Sequence, residues 1–243
     1  LRATSSAVYT GAAWEALSDK VYAEIGLTEG AAVDSLNGYE PLNFPAMTTS
    51  GQPYYEMTIT YPASLAGWMY TPYQLTTTPA EISDVTFVHD SHLERRLGVR
   101  EKNLFFNPEA LPNPWLMGQQ TWDAAEAEAN YRAFVYAHYL DVPAGLEETL
   151  QQWYDYVDSL VDYEDLNLVG VPGPSGPYHY ALQMTQLAAE MLRVSTAYDL
   201  GADYTPEEAD FVDYFLNESR SGYCVHYATA GVLILRAWGI PAR

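Results

Sequence analysis

Cysteine is almost absent: Cys224 is the single one in 243 residues. An internal disulfide is therefore excluded, and the redox compartment stays open. An exported protein with one unpaired thiol needs a reason for keeping it. Basic residues are also scarce. Eleven Lys and Arg stand against 32 Asp and Glu, a formal net charge of −21. Such a surface repels phosphate backbones, so no nucleic acid is expected as a partner. An anionic membrane surface repels it as well. Solubility is the simplest reading of the excess acid; attraction of basic peptides or Ca²⁺ is the functional alternative. No run of about 18 apolar residues occurs, so no segment reads as a bilayer-spanning helix. No basic segment leads into an apolar one, so no signal peptide is visible. Leu1-Arg2 is not a natural start, and both ends read as cuts. No internal repeat is apparent.

What is present is apolar bulk. Nearly half the chain, 48%, is hydrophobic, enough for a sizeable core in one large domain or two ordinary ones. Trp14, Leu17, Val21 and Ile25 fall at helical spacing, with Gly26 as a stop. Tyr55 to Tyr61 alternates: Met57, Ile59 and Tyr61 face one way, Glu56, Thr58 and Thr60 the other. That is a half-buried strand. Ile82 to Val88 is a second candidate strand, and Gly67 to Leu75 a third, interrupted by Pro72. Asn107 to Pro114 reads as loop.

The character changes near Ala124, where alanine, glutamate and tyrosine take over. Ala124 to Ala137 reads as helix, broken by Val142-Pro143. Leu146, Leu150, Trp153, Val157 and Leu160 form one stripe of an amphipathic helix. Asp155, Asp158 and Asp162 lie on its other side. A metal there is possible chemistry, but a solvated face explains the spacing. Gly170 to Pro177 is a loop, or a lid where it borders a site. Tyr180 to Val194 is another helix, with Leu182, Leu187, Met191 and Leu192 inward. Thr205-Pro206-Glu207-Glu208 reads as a helix start, Thr205 capping and Glu208 completing a capping box. That helix carries Phe211, Val212, Phe215 and Leu216 inward.

Gly222-Tyr223-Cys224 then reads as a turn feeding a helix N-terminus. Val225 to Trp238 is apolar on nearly every face, the pattern of a helix buried all round. Gly239 offers the left-handed exit, and Pro241 bars continuation. Cys224 therefore sits at the positive end of a helix dipole. That placement favours the thiolate, whose ordinary pKa near about 8.5 falls at helix N-termini. A thiolate attacks a carbonyl carbon, and adjacent backbone N–H groups can hold the oxyanion. A buried, inert cysteine is the alternative.

The whole run from Tyr214 through Gly222-Tyr223-Cys224, His226-Tyr227-Ala228, Leu235-Arg236-Ala237 and Gly239-Ile240-Pro241-Ala242-Arg243 resembles the nucleophile region of the transglutaminase-like superfamily. Tyr139-Leu140-Asp141-Val142-Pro143, Tyr198-Asp199-Leu200 and Asp213-Tyr214-Phe215-Leu216 extend the likeness to bacterial membrane-anchored members. Thr10-Gly11 and Tyr70-Thr71-Pro72-Tyr73 match their N-terminal segment faintly. The resemblance implies an α+β fold: a strand-rich N-terminal extracytoplasmic domain over 1–142, then over 143–243 the helical first half of a transglutaminase-like (papain-like) domain. It implies that Cys224 is the nucleophile of a Cys-His-Asp triad. It also implies that the histidine and aspartate lie downstream of the Pro-Ala-Arg exit, where this chain has no residue.

None of the five histidines reads as a substitute partner. His226 is roughly 200° around a helix from Cys224, so the two side chains diverge, and a structural role is expected. His89 and His92 fall in the strand region. His138 and His179 lie on or near helices, His179 bordering the Gly-Pro loop. One cysteine and scattered histidines offer no zinc spacing. No cofactor and no metal are expected.

The expected function is transglutaminase-like acyl transfer or proteolysis on peptide or protein amides through a Cys224 thioester in the parent protein, this fragment being inactive. The parent would be anchored in the membrane by segments outside this chain and face the extracytoplasmic side. A non-catalytic binding or structural module on the same scaffold is the alternative, and Ca²⁺ binding a third. Without the downstream sheet, the Cys224 helix would expose an apolar face. The isolated chain is then expected to form a homodimer there, to swap elements, or to cover the face with its own N-terminal strands.

Overall fold

The computed structural model describes residues 6–24, 55–62, 67–72, 83–88, 92–106, 133–161 and 177–243. The chain is α+β. It forms two compact units, Leu1–Ser6 with Ala16–Phe134, and Ala7–Glu15 with Val135–Arg243.

The first strands, β1 (Val8–Tyr9) and β2 (Trp14–Glu15), form an antiparallel hairpin. Gly11 turns it at φ 93°, a left-handed conformation that suits glycine. This hairpin belongs to the second unit. The helix expected from Trp14 onward is accordingly shorter, α1 (Asp19–Ala23). Trp14 is in a strand because its indole is engaged by partners more than 200 residues away, and such packing overrides local periodicity. Ile25 and Gly26 lie outside the described residues.

The first unit is strand-rich. β3 (Tyr55–Thr60) pairs antiparallel with β7 (Glu101–Phe106), Tyr55 opposite Phe106 and Thr60 opposite Glu101. β4 (Trp68–Met69), β5 (Val85–Val88) and β6 (His92–Arg95) form a second sheet in the order β4-β6-β5. The alternation in β3 is realised. Met57 and Ile59 are half-buried and Tyr61 buried, while Glu56, Thr58 and Thr60 are exposed. Met69, Leu93, Leu104 and Tyr22 are closed off from solvent. The Arg95 guanidinium lies 3.9 Å above the Tyr61 ring. The Asn107–Pro114 loop and His89 lie outside the described residues.

The second unit is helical. Residues 133–138 are helical and end before Pro143. α2 (Leu146–Asp158) buries Leu146, Leu150, Trp153 and Val157. Leu160, expected on that stripe, is past the helix end and exposed. α3 (Pro177–Ser195) buries Met191 and Leu192 and packs Leu187 on the core; the Leu182 side chain lies outside the description. The Gly170 loop and Asp162 do too. β8 (Ala197–Tyr198) follows.

The helix expected to start at Thr205 starts later. Ala209 N–H bonds Pro206 O at 3.0 Å in a single turn. Asp210 is the true cap, its Oδ1 accepting from the amides of Val212 (2.8 Å) and Asp213 (3.0 Å). A carboxylate there meets the free amides more strongly than a threonine hydroxyl would. α4 (Phe211–Asp213) runs directly into a π-helical turn, Tyr214–Ser219. Then come β9 (Ser221–Gly222) and α5 (Cys224–Ala237). Val212, Phe215, Leu216, Ala230, Leu233 and Ile234 meet Trp153, Val157, Met191 and Tyr9 in one core. Among the described residues no helix is long and apolar enough to cross a membrane. Nor do any three His, Cys, Asp or Glu among them gather as a metal site.

Candidate active site

Two short segments aim the chain at α5. β8 pairs in parallel with β9, Ala197 opposite Ser221 and Tyr198 opposite Gly222. Ala197 N–H donates to Arg220 O, and Asp199 N–H to Gly222 O, each at 2.8 Å. The Tyr198-Asp199-Leu200 motif is thus fastened to the residues entering Cys224. Arg220 turns there at φ 50° and rests its guanidinium 4.4 Å from the Tyr156 ring centroid, donating to the Tyr156 hydroxyl at 2.9 Å.

Gly222 has a steric reason. A Cβ there would lie 2.6 Å from His226 Cγ, 2.7 Å from His226 Cβ and 2.8 Å from Phe215 Cε2. No real side chain tolerates such contacts, so the position is closed to anything larger than hydrogen.

His226 is the other half of that contact. It is buried and stacks on Phe211, ring centroids 4.5 Å apart, with Phe215 and Tyr223 on other sides. Its Nδ1 accepts the Tyr223 amide at 3.2 Å, which satisfies the amide just before the helix. That bond fixes the neutral tautomer with hydrogen on Nε2. Burial among aromatics pushes its pKa below the usual histidine value, and a ring nitrogen that accepts an amide hydrogen is held in its neutral form. His226 is therefore a structural histidine that shapes the turn, as the angular argument expected. It packs inward while Cys224 is exposed.

Cys224 occupies the first position of α5, with Tyr223 as extended N-cap. The amides of the first helical residues have no intrahelical acceptor, so those of Cys224 and Val225 are free to serve as donors beside the sulfur. The described residues give the sulfur no imidazole partner. The helix is not buried all round. His226, Thr229, Ala230, Leu233, Ile234 and Arg236 face inward. Cys224, Val225 and Ala228 are exposed, and Val232 and Leu235 only half-buried. The uniform apolar sequence hid this division, because both faces carry the same residue type.

The hairpin covers part of α5. Trp14 Nε1–H donates to Thr229 Oγ1 at 3.1 Å, and the Arg236 guanidinium lies 5.1 Å from the Trp14 ring centroid. The Tyr9 hydroxyl accepts the Val212 amide at 3.2 Å and lies within donor reach of Gly11 O and Asp210 Oδ1. Burial first, and the Asp210 charge second, raise its pKa well above the ordinary tyrosine value, so it stays protonated. Of the expected remedies for the unpaired face, cover by N-terminal strands is thus partly realised.

At its far end α5 closes as the Gly-Ile-Pro pattern predicts. Gly239 sits at φ 76°, with Gly239 N–H on Arg236 O and Ile240 N–H on Leu235 O, both 2.9 Å. This is a Schellman closure. Ala242 N–H then reaches Tyr139 O at 3.1 Å, and Arg236 Nη1 reaches Asp141 O at 3.0 Å. Two motifs about a hundred residues apart in sequence are joined there.

Residues 171–243 match the model of the transglutaminase-like superfamily. A protein-glutamine gamma-glutamyltransferase of Pseudomonas aeruginosa is 63% identical over 35 residues, 14% of this chain and 5% of that protein. The uncharacterized protein YebA of Bacillus subtilis is 50% identical over 36 residues, 15% of this chain and 5% of its own length. These matches span a small part of either relative. The periplasmic domain of TgpA from Pseudomonas aeruginosa has a similar fold, with a TM-score of 0.56 at 18% identity over 99% of this chain and 66% of that one.

Proposed function

Because residues 171–243 belong to the transglutaminase-like superfamily, we propose that Cys224 is the nucleophile of an acyl-transfer reaction on peptide or protein amides. The observation that carries this is one thiol, exposed, at the first position of a 14-residue helix. Its thiolate adds to the amide carbonyl carbon. The free amides of Cys224 and Val225 are placed to receive the oxyanion. The amide nitrogen leaves as an amine after taking a proton, and a Cys224 thioester remains. An amine completes transfer; water completes hydrolysis. The glutamine carboxamide is the favoured substrate class, since a glutamyltransferase is among the relatives. The proton acceptor for the thiol lies outside the described residues in this reading. We read the location as extracytoplasmic, a reading that the likeness of fold to a periplasmic domain supports, with any membrane anchor in the parent protein. Nucleic acid is no partner of so acidic a chain.

Iodoacetamide tests this reading. At neutral pH the folded chain should take up one label at Cys224, faster than glutathione does, and Cys224→Ser should take none. Labelling that requires denaturant would reject it. A non-catalytic scaffold is the second reading, favoured by the lack of a bonded imidazole at the sulfur among the described residues. Failure of the full-length protein to attach an amine dye to a glutamine peptide, with Cys224 nonetheless reactive, would select it.

A further inference from the structure

The outer edge of β8 lies beside the turn that carries Cys224. Among the described residues β8 pairs with β9 alone, Tyr198 opposite Gly222. Alternate residues of a parallel strand turn their N–H and C=O toward the partner. Ala197 and Asp199 give their amides to the β9 side, to Arg220 O and Gly222 O. The N–H and C=O of Tyr198, between them, therefore point away from β9, to an edge that no described strand occupies. Strand spacing and rise put the Tyr198 α-carbon about 8 Å from that of Cys224.

The side chains around this edge are open to solvent. Tyr198 is 62% exposed, and Leu200 and Tyr204 are more so. The Tyr198 ring rests against Tyr227, centroids 5.8 Å apart. Tyr227 is three residues from Cys224 on the same face of α5, so the two rings make a platform on the approach to the sulfur. Free backbone groups with uncovered apolar side chains make an edge a template for an added strand. Charge selects the strand. Asp199, Asp203, Glu207, Glu208 and Glu218 are exposed around it. Arg220, the one basic side chain from Ala197 to Arg220, is held on Tyr156. A second copy of this chain would bring the same acid to the edge and be repelled, whereas a basic peptide is attracted.

We propose that the amide substrate of Cys224 docks on this edge as an antiparallel strand, and that the site prefers glutamine flanked by basic residues. This rests on Cys224 being the reacting thiol. Antiparallel pairing is the more stable form, and it lets one opposed residue exchange both bonds with Tyr198. β8 runs toward the Cys224 turn, so the docked strand runs away from it. The glutamine then stands two residues before the one opposed to Tyr198. Its α-carbon is there about 10 Å from that of Cys224, within the combined reach of carboxamide and thiol. Tyr198 binds the substrate and takes no part in the bond changes.

The probe is a fluorescein-labelled heptapeptide: a central glutamine between two leucines, with two lysines at each end. It is titrated into the complete chain at low salt and followed by fluorescence anisotropy. The lysine peptide should bind saturably, about tenfold or more tighter than a counterpart with glutamate for lysine. Methylating the backbone nitrogen two residues after the glutamine removes the donor to Tyr198 O and should weaken binding about tenfold. The same methylation two residues before the glutamine should change little. Tyr198→Ser should also weaken binding about tenfold, by removing the platform. Equal affinity for the two peptides, equal effects of the two methylations, or unchanged affinity in Tyr198→Ser would each overturn the proposal. So would a dimer that Tyr198→Ser dissolves, since a second copy would then hold the edge. Iodoacetamide labelling of the wild type without peptide tests the thiol separately. Fast labelling with no peptide preference rejects the edge and keeps the nucleophile; slow labelling rejects the nucleophile and, with it, the edge as a substrate site.

Discussion

At the scale of single residues, the site rests on contacts that a hydrogen atom or a ring nitrogen decides. Gly222→Ala should destabilise the second unit by about 1–3 kcal/mol, since the new methyl meets His226 and Phe215 below contact distance. Urea unfolding followed by near-ultraviolet circular dichroism measures it, and the same variant should slow Cys224 alkylation by misplacing the turn. His226 predicts a pH effect. Its folded pKa is below the unfolded value, so protonation favours unfolding. Its contribution is intact above about pH 6.5, the ordinary histidine value, and is lost as pH falls from there through the depressed folded value. Wild type should therefore lose more melting temperature between pH 7 and 5 than His226→Gln does. Equal slopes would show that the histidine titrates normally. The glycine, the cysteine and the structural histidine were all legible in sequence. The Asp210 cap was missed in favour of Thr205, although an acidic residue just before Phe211-Val212 was a usable signal.

At the scale of elements, the hairpin Ala7–Glu15 is the least expected part of the second unit. Nothing in a stretch of nine residues announces partners near positions 210, 229 and 236. Tyr9→Phe should cost about 1 kcal/mol, because Val212 N–H keeps its bond to Asp210 when the hydroxyl is lost. Trp14→Ala should cost about 2 kcal/mol, less than a fully buried tryptophan, by removing the Thr229 bond and the surface beneath Arg236. Thermal melts of both variants check the order. A larger loss for Tyr9→Phe would mean that the hydroxyl, not the indole, holds the hairpin. Helices α2, α3 and α5 were legible because long apolar periodicities survive any tertiary context. The π-helical turn and the two-residue strands were not, since single backbone bonds leave no periodic trace.

For the whole molecule, two features dominate: the net charge of −21 and the unpaired face of α5. Val225 is 51% exposed beside Cys224, in line with half-buried Val232. An apolar stripe in water favours association, and acidic surfaces oppose it. The chain should therefore self-associate with rising concentration in light scattering, more strongly as salt screens the charge. Val225→Asp should restore the monomer. Monomeric wild type at high salt and high concentration would show that the stripe is too small to drive pairing.

Sequence by itself determined the chemistry-bearing turn. A glycine, a lone thiol, an apolar helix and a glycine exit follow one another within about twenty residues, and local rules govern each of them. Tertiary structure alone decided which face of that helix is covered, that a hairpin from the chain start covers it, and that Arg236 joins the helix end to the Asp141 and Ala242 carbonyls. Those outcomes depend on residues far apart in the chain meeting in space, and no local pattern encodes such meetings.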